Sequence, residues 1–83
     1  MIERILDKET KEYRTFRIGE KVLNRPDCNS MYRGRYGEIT YLEDKYGHLS
    51  VSVRYSPSEK ETHPSWVIIQ FEDDSFPEEL FTL

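Results

Sequence analysis

Apolar and polar residues alternate with a period of two along much of the chain. The clearest example is the stretch 48–55, in which Leu49, Val51, Val53 and Tyr55 alternate with polar residues. Because successive side chains of a strand point to opposite faces, this pattern predicts a strand with one buried face. The pattern as a whole favours an all-β fold.

Another alternating run starts within residues 32–39, where Gly34 and Gly37 precede it. Glycine adopts positive φ angles without strain, so this stretch predicts a turn that leads into a strand over 36–43. The other predicted elements are a strand over 22–25, a loop over 26–33, a surface loop over 56–65, a central apolar strand over 66–72, a helical turn over 76–80 and a last strand over 81–83. The predicted core residues are Val51, Val53, Val67, Ile69 and Phe71.

The N-terminal residues fit two alternative structures. Asp7 and Thr10 lie between two alternating runs and suit the turn of a β-hairpin, since their side chains bond the backbone of turns. The apolar residues Ile2, Ile5 and Leu6 also fit one side of an amphipathic helix over 2–12. The sequence leaves both structures open.

Composition narrows the class of protein. The chain has 83 residues, of which 36% are apolar, and this indicates one domain with a thin core that eleven aromatic residues help to fill. Cys28 is the single cysteine, so an internal disulfide is excluded and a reducing cytoplasm is the expected compartment. No apolar run approaches the length of a signal-peptide core or a membrane helix, so no membrane partner is expected.

Charge is unevenly distributed along the chain, whose net charge is -4. Residues 13–35 carry six Lys or Arg against two acids, whereas residues 56–83 carry one Lys against seven acids. The middle of the chain is therefore basic and its C-terminal third acidic. The overall acidity argues against nonspecific nucleic-acid binding, although a local basic surface remains compatible with it.

Several short motifs follow one another in a fixed order. They are FRIGEKV at 16–22, RGRYGEI at 33–39, VSVRY at 51–55, FEDDS at 71–75 and EL at 79–80. This order resembles the SH3-like barrel of the KOW and Tudor kind. It is also similar to the ferredoxin–thioredoxin reductase variable subunit and to the barrel of the nitrile hydratase β-subunit. The resemblance implies a single domain over 1–83: a small barrel of five to six short antiparallel strands over 16–83, with a hairpin or short helix added over 1–15. Such a resemblance concerns the fold and does not specify a function.

Residue types that could support catalysis or metal binding are scattered. His48 and His63 lie fifteen residues apart without a partner at ligand spacing, and a zinc site needs three or four ligands. Cys28 and a histidine could form a nucleophilic pair, but no orienting acid is visible beside them, so an inert thiol is expected. The acids at 72–74 suit a solvated turn better than a cation site. The sequence therefore predicts a protein that is not an enzyme and has no metal or cofactor.

Aromatic and basic residues form the candidate binding surface. Tyrosine and tryptophan at the rim of a small barrel can stack on bases or enclose a cation or peptide, and arginines beside them can bind anions. The predicted ligand-binding residues are Tyr32, Arg33, Arg35, Tyr36, Tyr55 and Trp66, with Arg25 as a further anion contact. The alternative for the aromatic residues is that they close the ends of the barrel, and for the arginines that they are solvated charges.

Three functions are compatible with these features. The first is a small non-catalytic binding module or accessory subunit that contacts another protein through the barrel rim or an edge strand. The second is nucleic-acid or ribonucleoprotein binding through the rim between Tyr32 and Tyr36. The third is an acidic inhibitor of phage or mobile-element type, which the acid-rich C-terminal third suggests. The sequence indicates neither the partner nor the oligomeric state.

Overall fold

The computed structural model describes residues 2–7, 12–45, 48–71 and 76–77. In this part of the chain the secondary structure consists of strands and one 3-10 turn. They are β1 (Ile2–Asp7), β2 (Glu12–Arg17), β3 (Lys21–Asn24), β4 (Tyr36–Lys45), β5 (His48–Ser56), β6 (Glu59–Pro64), the 3-10 turn η1 (Ser65–Val67) and β7 (Ile68–Gln70). Since η1 has three residues, no helix in the described ranges could cross a membrane.

The strands form two antiparallel sheets. β1 pairs with β2, and the other five strands form one sheet in the order β6-β5-β4-β3-β7. The predicted all-β, antiparallel fold is therefore confirmed. Among the described residues β6 and β7 are the edges of the larger sheet and do not pair with each other, so closure into a barrel stays a prediction.

The N-terminal segment is a hairpin, and the helix alternative is wrong. Ile2 is paired with Arg17 and Asp7 with Glu12, so the register is continuous along both strands. The turn residues 8–11 lie outside the described part of the chain.

Arg14 of β2 attaches this hairpin to the far edge of the larger sheet. Its guanidinium donates to Ser65 O at 3.1 Å, to Ile68 O at 2.5 Å and to Gln70 Oε1 at 2.8 Å. Gln70 Nε2 in turn donates to Thr15 O at 2.6 Å. These side chains take the place of a backbone ladder between β2 and β7, so the edge of β7 is covered by β2.

The core lies on one face of the larger sheet and is closed by β2. It consists of Phe16, Val22, Cys28, Ile39, Leu42, Leu49, Val51, Val53, Tyr55, Val67 and Ile68. A register shift between Ile39 and Tyr41 inserts one extra residue into β4. This bulge keeps both Ile39 and Leu42 in the core and leaves Tyr41 53% exposed on the opposite face.

The segment 56–65, expected to be a surface loop, instead contains strand β6. It pairs with β5 from Ser56↔Glu59 to Ser50↔Pro64. An edge strand whose outer face is solvated needs few apolar residues, and in β6 His63 alone is buried. The polar composition of 59–64 therefore reflects an edge position in the sheet.

The apolar segment 66–72 is neither one strand nor central. Its first part lies in η1, and β7 is a three-residue edge strand. The turn shifts the register so that Ile68 is fully buried, whereas Ile69 and Phe71 are half-buried. The predictions for Val51, Val53 and Val67 are confirmed, and those for Ile69 and Phe71 are wrong. The helical turn over 76–80 and the strand over 81–83 lie outside the described residues, apart from 76–77, which belong to no helix or strand.

Candidate functional site

The connection between β3 and β4 (residues 25–35, called the β3–β4 loop) is held at both ends. Asn24 N donates to Arg35 O at 2.9 Å, and Gly34 N donates to Asn24 O at 2.9 Å. Gly34 adopts a φ of 77°, which a residue with a side chain rarely takes. The loop therefore starts and ends at adjacent points of the sheet.

Beneath this loop lies a buried polar network, made of Asn24, Cys28, Tyr55 and His63. The Cys28 thiol donates to Asn24 Oδ1 at 3.1 Å, and Asn24 Nδ2 donates to the Tyr55 hydroxyl at 2.9 Å. The Tyr55 hydroxyl lies 2.7 Å from His63 Nε2. Three elements thus meet in one place: β3, the loop, and the β5–β6 pair.

The donor contacts of Asn24 favour one direction of the hydrogen bonds through the network, with His63 Nε2 as the acceptor. The second amide hydrogen of Asn24 points to Ser30 Oγ at 3.4 Å, and Ser30 Oγ also accepts from Tyr32 N at 3.1 Å. Because the Tyr55 oxygen already accepts from Asn24, its own proton is free to be donated to His63 Nε2. His63 Nε2 can accept that proton only in a neutral ring.

Burial shifts the pKa of His63 and that of Tyr55 so that the neutral form of each is favoured. It lowers the pKa of His63, against the smaller opposing effect of the nearby Glu61 carboxylate. It raises the pKa of Tyr55 to about 12, although the hydrogen bond from Asn24 opposes the shift. Both groups are therefore neutral near pH 7.

A nucleophilic pair of Cys28 with a histidine, the alternative that the sequence disfavoured, does not form with His63. Cys28 donates to Asn24 rather than to His63, and its thiol is buried. A histidine that activates a thiol must contact it directly. This arrangement supports the inert thiol expected from the sequence.

A stack of two tyrosines covers the network. The rings of Tyr32 and Tyr55 lie 4.5 Å apart and nearly parallel, and Arg35 flanks both, with Cζ 5.7 and 5.8 Å from the ring centroids. Arg35 donates to both carboxylate oxygens of Glu59, at 2.8 and 3.1 Å. The hydrogen bond from Arg35, together with one from Ser56, lowers the pKa of Glu59. These contacts fix the loop to the β5–β6 turn.

The six predicted binding residues do not form one rim. Tyr32, Arg35 and Tyr55 come together as described. Arg33 is exposed in the loop and donates to Ser30 O at 3.3 Å. Whether any of them binds a ligand stays a prediction.

Tyr36 and Trp66 lie apart from that group. Tyr36 packs on the outer face of the sheet, its ring 5.9 Å from that of Phe71 and 5.4 Å from that of Phe76. Trp66 belongs to η1, where its carbonyl accepts from Arg25 Nε at 3.0 Å. Arg25 thus holds η1, and its predicted binding of an anion together with Arg33 and Arg35 stays a prediction.

Sequence reasoning did not identify Asn24, His63 or Glu59 as members of a site. Asn24 resembled the polar end of a strand, and the other two lay in a segment expected to be a loop. The one available signal was an asparagine at an otherwise inward position of β3, two residues after the buried Val22.

Arg33 and Arg35 are expected to differ in their effect on stability. Arg35→Ala removes a bidentate ion pair and a ring contact and should cost about 1 kcal/mol, which lowers the melting temperature by about 4–8 °C. Arg33→Ala removes one exposed hydrogen bond and should shift it by less than about 2 °C. Thermal unfolding followed by circular dichroism measures both, and equal shifts would contradict the assigned role of the Arg35–Glu59 pair.

Two adjacent segments present exposed side chains of the kinds found at interfaces. We call this the loop surface, formed by Met31 and Arg33 of the β3–β4 loop and Trp66 of η1. Met31 is 79% exposed and Trp66 42% exposed. Arg25 joins the two segments, since its backbone N also donates to Val67 O at 2.8 Å. Trp, Met and Arg are enriched in protein interfaces.

Within the described ranges no group of three or more His, Cys, Asp or Glu side chains could hold a metal ion. The acidic residues 72–74 lie outside those ranges. Comparison of the chain with protein-family models, with curated proteins and with solved structures gave no match.

Proposed function

We propose that this protein is a small non-catalytic binding module that contacts another protein through the loop surface. The supporting observation is the exposure of Met31 and Trp66 on two segments that Arg25 holds together. Tryptophan and arginine are enriched in interface hot spots, and here Arg25 contacts the exposed Trp66.

The contacts of the other predicted residues favour a protein partner over nucleic acid. One face of the Tyr32 ring is covered by Tyr55, and Tyr36 is packed against Phe71 and Phe76. Arg35 is engaged by Glu59. Base stacking and phosphate binding need such groups to be available, so nucleic-acid binding is the second candidate, and the acidic inhibitor has no support beyond composition.

Two finer proposals accompany this function. The first is that the fold is an SH3-like barrel of the KOW and Tudor kind, which is supported by the run of consecutive antiparallel strands β3 to β6 and by the return of β7 to β3 after one 3-10 turn. The second is a reducing, cytoplasmic compartment, supported by the unpaired thiol of Cys28.

The test is a capture experiment from host lysate with the immobilised full chain, its Trp66→Ala variant and its Tyr41→Ala variant. Tyr41 is the matched control because it is an exposed aromatic residue on the outer face of the sheet. We expect specific proteins to bind the unchanged chain and the Tyr41 variant, with at least tenfold weaker binding to the Trp66 variant, the usual effect of losing a hot-spot tryptophan.

Nuclease treatment and circular dichroism serve as controls for this capture experiment. Binding that disappears after nuclease treatment would favour nucleic acid and contradict the proposal. Equal capture by all three chains would place the contact elsewhere on the molecule. Far-ultraviolet circular dichroism of each variant checks that a lost interaction does not reflect a lost fold.

A further inference from the structure

The buried network of Asn24, Cys28, Tyr55 and His63 lies close to both segments of the loop surface, the β3–β4 loop and η1. On one side, Asn24 holds the β3–β4 loop through Cys28 and Ser30. On the other side, His63 ends the buried part of β6 three residues before Trp66. A change in the hydrogen bonds of His63 therefore reaches the β3–β4 loop, and with it Met31 and Arg33, through Asn24 and Tyr55.

We infer that protonation of His63 opens the β3–β4 loop and thereby dismantles the loop surface. This inference concerns the regulation of the proposed binding site, and only its consequence for binding rests on that proposed function. The opening itself is a property of the isolated chain and can be measured without a partner.

The hydrogen-bond directions supply the reason. A proton on Nε2 changes it from an acceptor into a donor that faces the Tyr55 oxygen at 2.7 Å and the Asn24 amide donor at 3.4 Å. The Tyr55 hydroxyl then loses the acceptor of its own proton, while its oxygen already accepts from Asn24. Buried polar groups left without a partner are strongly unfavourable.

The ionisable groups around His63 do not offset this loss. From β5 it faces Tyr55, which is neutral near pH 7, and from the loop it faces the ring of Tyr32 at 6.5 Å. Cys28 contacts the same Asn24, and the guanidinium of Arg35 beside the tyrosine stack adds a positive charge. On its own strand, Glu61 alone favours the charged ring, and burial outweighs it.

The middle of the loop, residues 26–33, has fewer attachments to the sheet than the two ends of the loop, so a local opening there is physically reasonable. The backbone hydrogen bonds of this middle part stay within the loop, such as Cys28 N to Arg25 O and Arg33 N to Ser30 O. The contacts of this middle part with the sheet pass through the network and the Tyr32–Tyr55 stack, whereas the ends of the loop are held separately by Arg25, Gly34 and Arg35. Segments held by few side-chain contacts open at a lower free energy than the whole domain.

Linkage fixes the sign and the size of the effect. The open loop exposes His63 with its ordinary pKa near 6.5, whereas the closed loop holds that pKa lower, so protons favour the open form. Opening is therefore least favourable above pH 7 and becomes more favourable as the pH falls through 6.5. Between pH 7.5 and 5.5 the opening equilibrium should rise by up to about tenfold, the limit that the ordinary pKa of the exposed ring sets.

Cys28 reports this opening because it is the single thiol and its side chain is buried on the inner side of the loop to which it belongs. The rate at which a disulfide reagent labels Cys28 is measured at each pH in the folded chain and in the same chain unfolded in urea. The unfolded rate divided by the folded rate is the protection of the thiol, and this ratio cancels the pH dependence of the thiol chemistry. We expect this protection to fall between about threefold and about tenfold from pH 7.5 to 5.5, since tenfold is the limit that linkage allows. The rise in labelling should depend weakly on urea, since little surface is exposed.

His63→Gln is the decisive variant, because glutamine can accept from Tyr55 but does not titrate. Its protection should be constant over this range, while His48→Gln, which removes the other histidine, should behave like the unchanged chain. A fall below threefold in the unchanged chain, an equal fall in the His63 variant, or a urea dependence as steep as that of global unfolding would overturn the inference.

If the His63→Gln variant does not fold, a measurement on the unchanged chain still tests the inference. In nuclear magnetic resonance spectra, amide signals of residues 27–33 should change together with the His63 ring, while those of Val51 and Val53 stay constant. Amide signals of the loop that do not change as His63 titrates would also overturn the inference. An intact pH response in a chain whose capture does not depend on Trp66 would count against the proposed function alone.

Discussion

Gly37→Val is expected to lower the free energy of unfolding by about 3 kcal/mol or more, the upper part of the range for overpacking a core. A Cβ at Gly37 would overlap Val53 Cγ1 and would lie 2.9 Å from Arg54 O and from Tyr55 Cδ1. Since Arg54 O is a backbone atom of the neighbouring strand, it cannot move away without distorting β5. Urea unfolding measures the loss.

Gly34→Ala is the matched control for this prediction. Gly34 has a positive φ but no atom within 4 Å of an added Cβ. Its replacement should therefore cost about 1–2 kcal/mol, the backbone penalty alone. A smaller loss at Gly37 than at Gly34 would contradict the close approach of β4 to β5.

Ile68→Ala is expected to lower the free energy of unfolding by about 2–5 kcal/mol, the range for truncating a fully buried aliphatic side chain. Ile68 has no exposed surface, and its carbonyl accepts from Arg14. Ile69→Ala should cost about 1 kcal/mol, because the half-buried Ile69 points to the outer face of the sheet.

The comparison of these two variants tests the register of β7. Denaturant unfolding with an unchanged urea dependence gives both values. The opposite ranking, with the larger loss at Ile69, would place η1 and β7 one residue out of register.

Alternation predicted strands β3, β4 and β5 closely, because each has one buried and one solvated face. It failed at β6, whose edge position leaves one inward side chain, His63, and therefore no apolar pattern. It also failed at 66–72, where a continuous apolar run carries no period and the 3-10 turn shifts the register by one residue.

The sequence predicted that Gly34 and Gly37 of the motif at 33–39 are structurally required, but the predicted reason was wrong for Gly37. Gly34 has the positive φ that the turn requires, whereas Gly37 lies inside β4, paired with Val22. Only the close approach of β5 shows why a side chain is excluded at Gly37. Distances between strands are not encoded in local sequence, so this reason could not be predicted.

The candidate site was predictable only in part. Tyr32, Arg35 and Tyr55 were named from composition, and the structure brings them together. Their polar partners, Asn24 and His63, come from strands 39 residues apart. Such a network depends on the pairing of whole strands, which no local pattern specifies.

The attachment of β2 to β7 has a consequence for the order of folding. Arg14 contacts Gln70 of β7, which lies 56 residues later in the sequence. β3 also pairs with β7, so its pairing is complete only after β7 has been synthesised. During synthesis the N-terminal hairpin is finished long before the surface that it covers exists. Non-local contacts of this kind slow folding into the millisecond-to-second range typical of small β domains. Until β7 emerges from the ribosome, the apolar residues of the earlier strands have no complete core to enter.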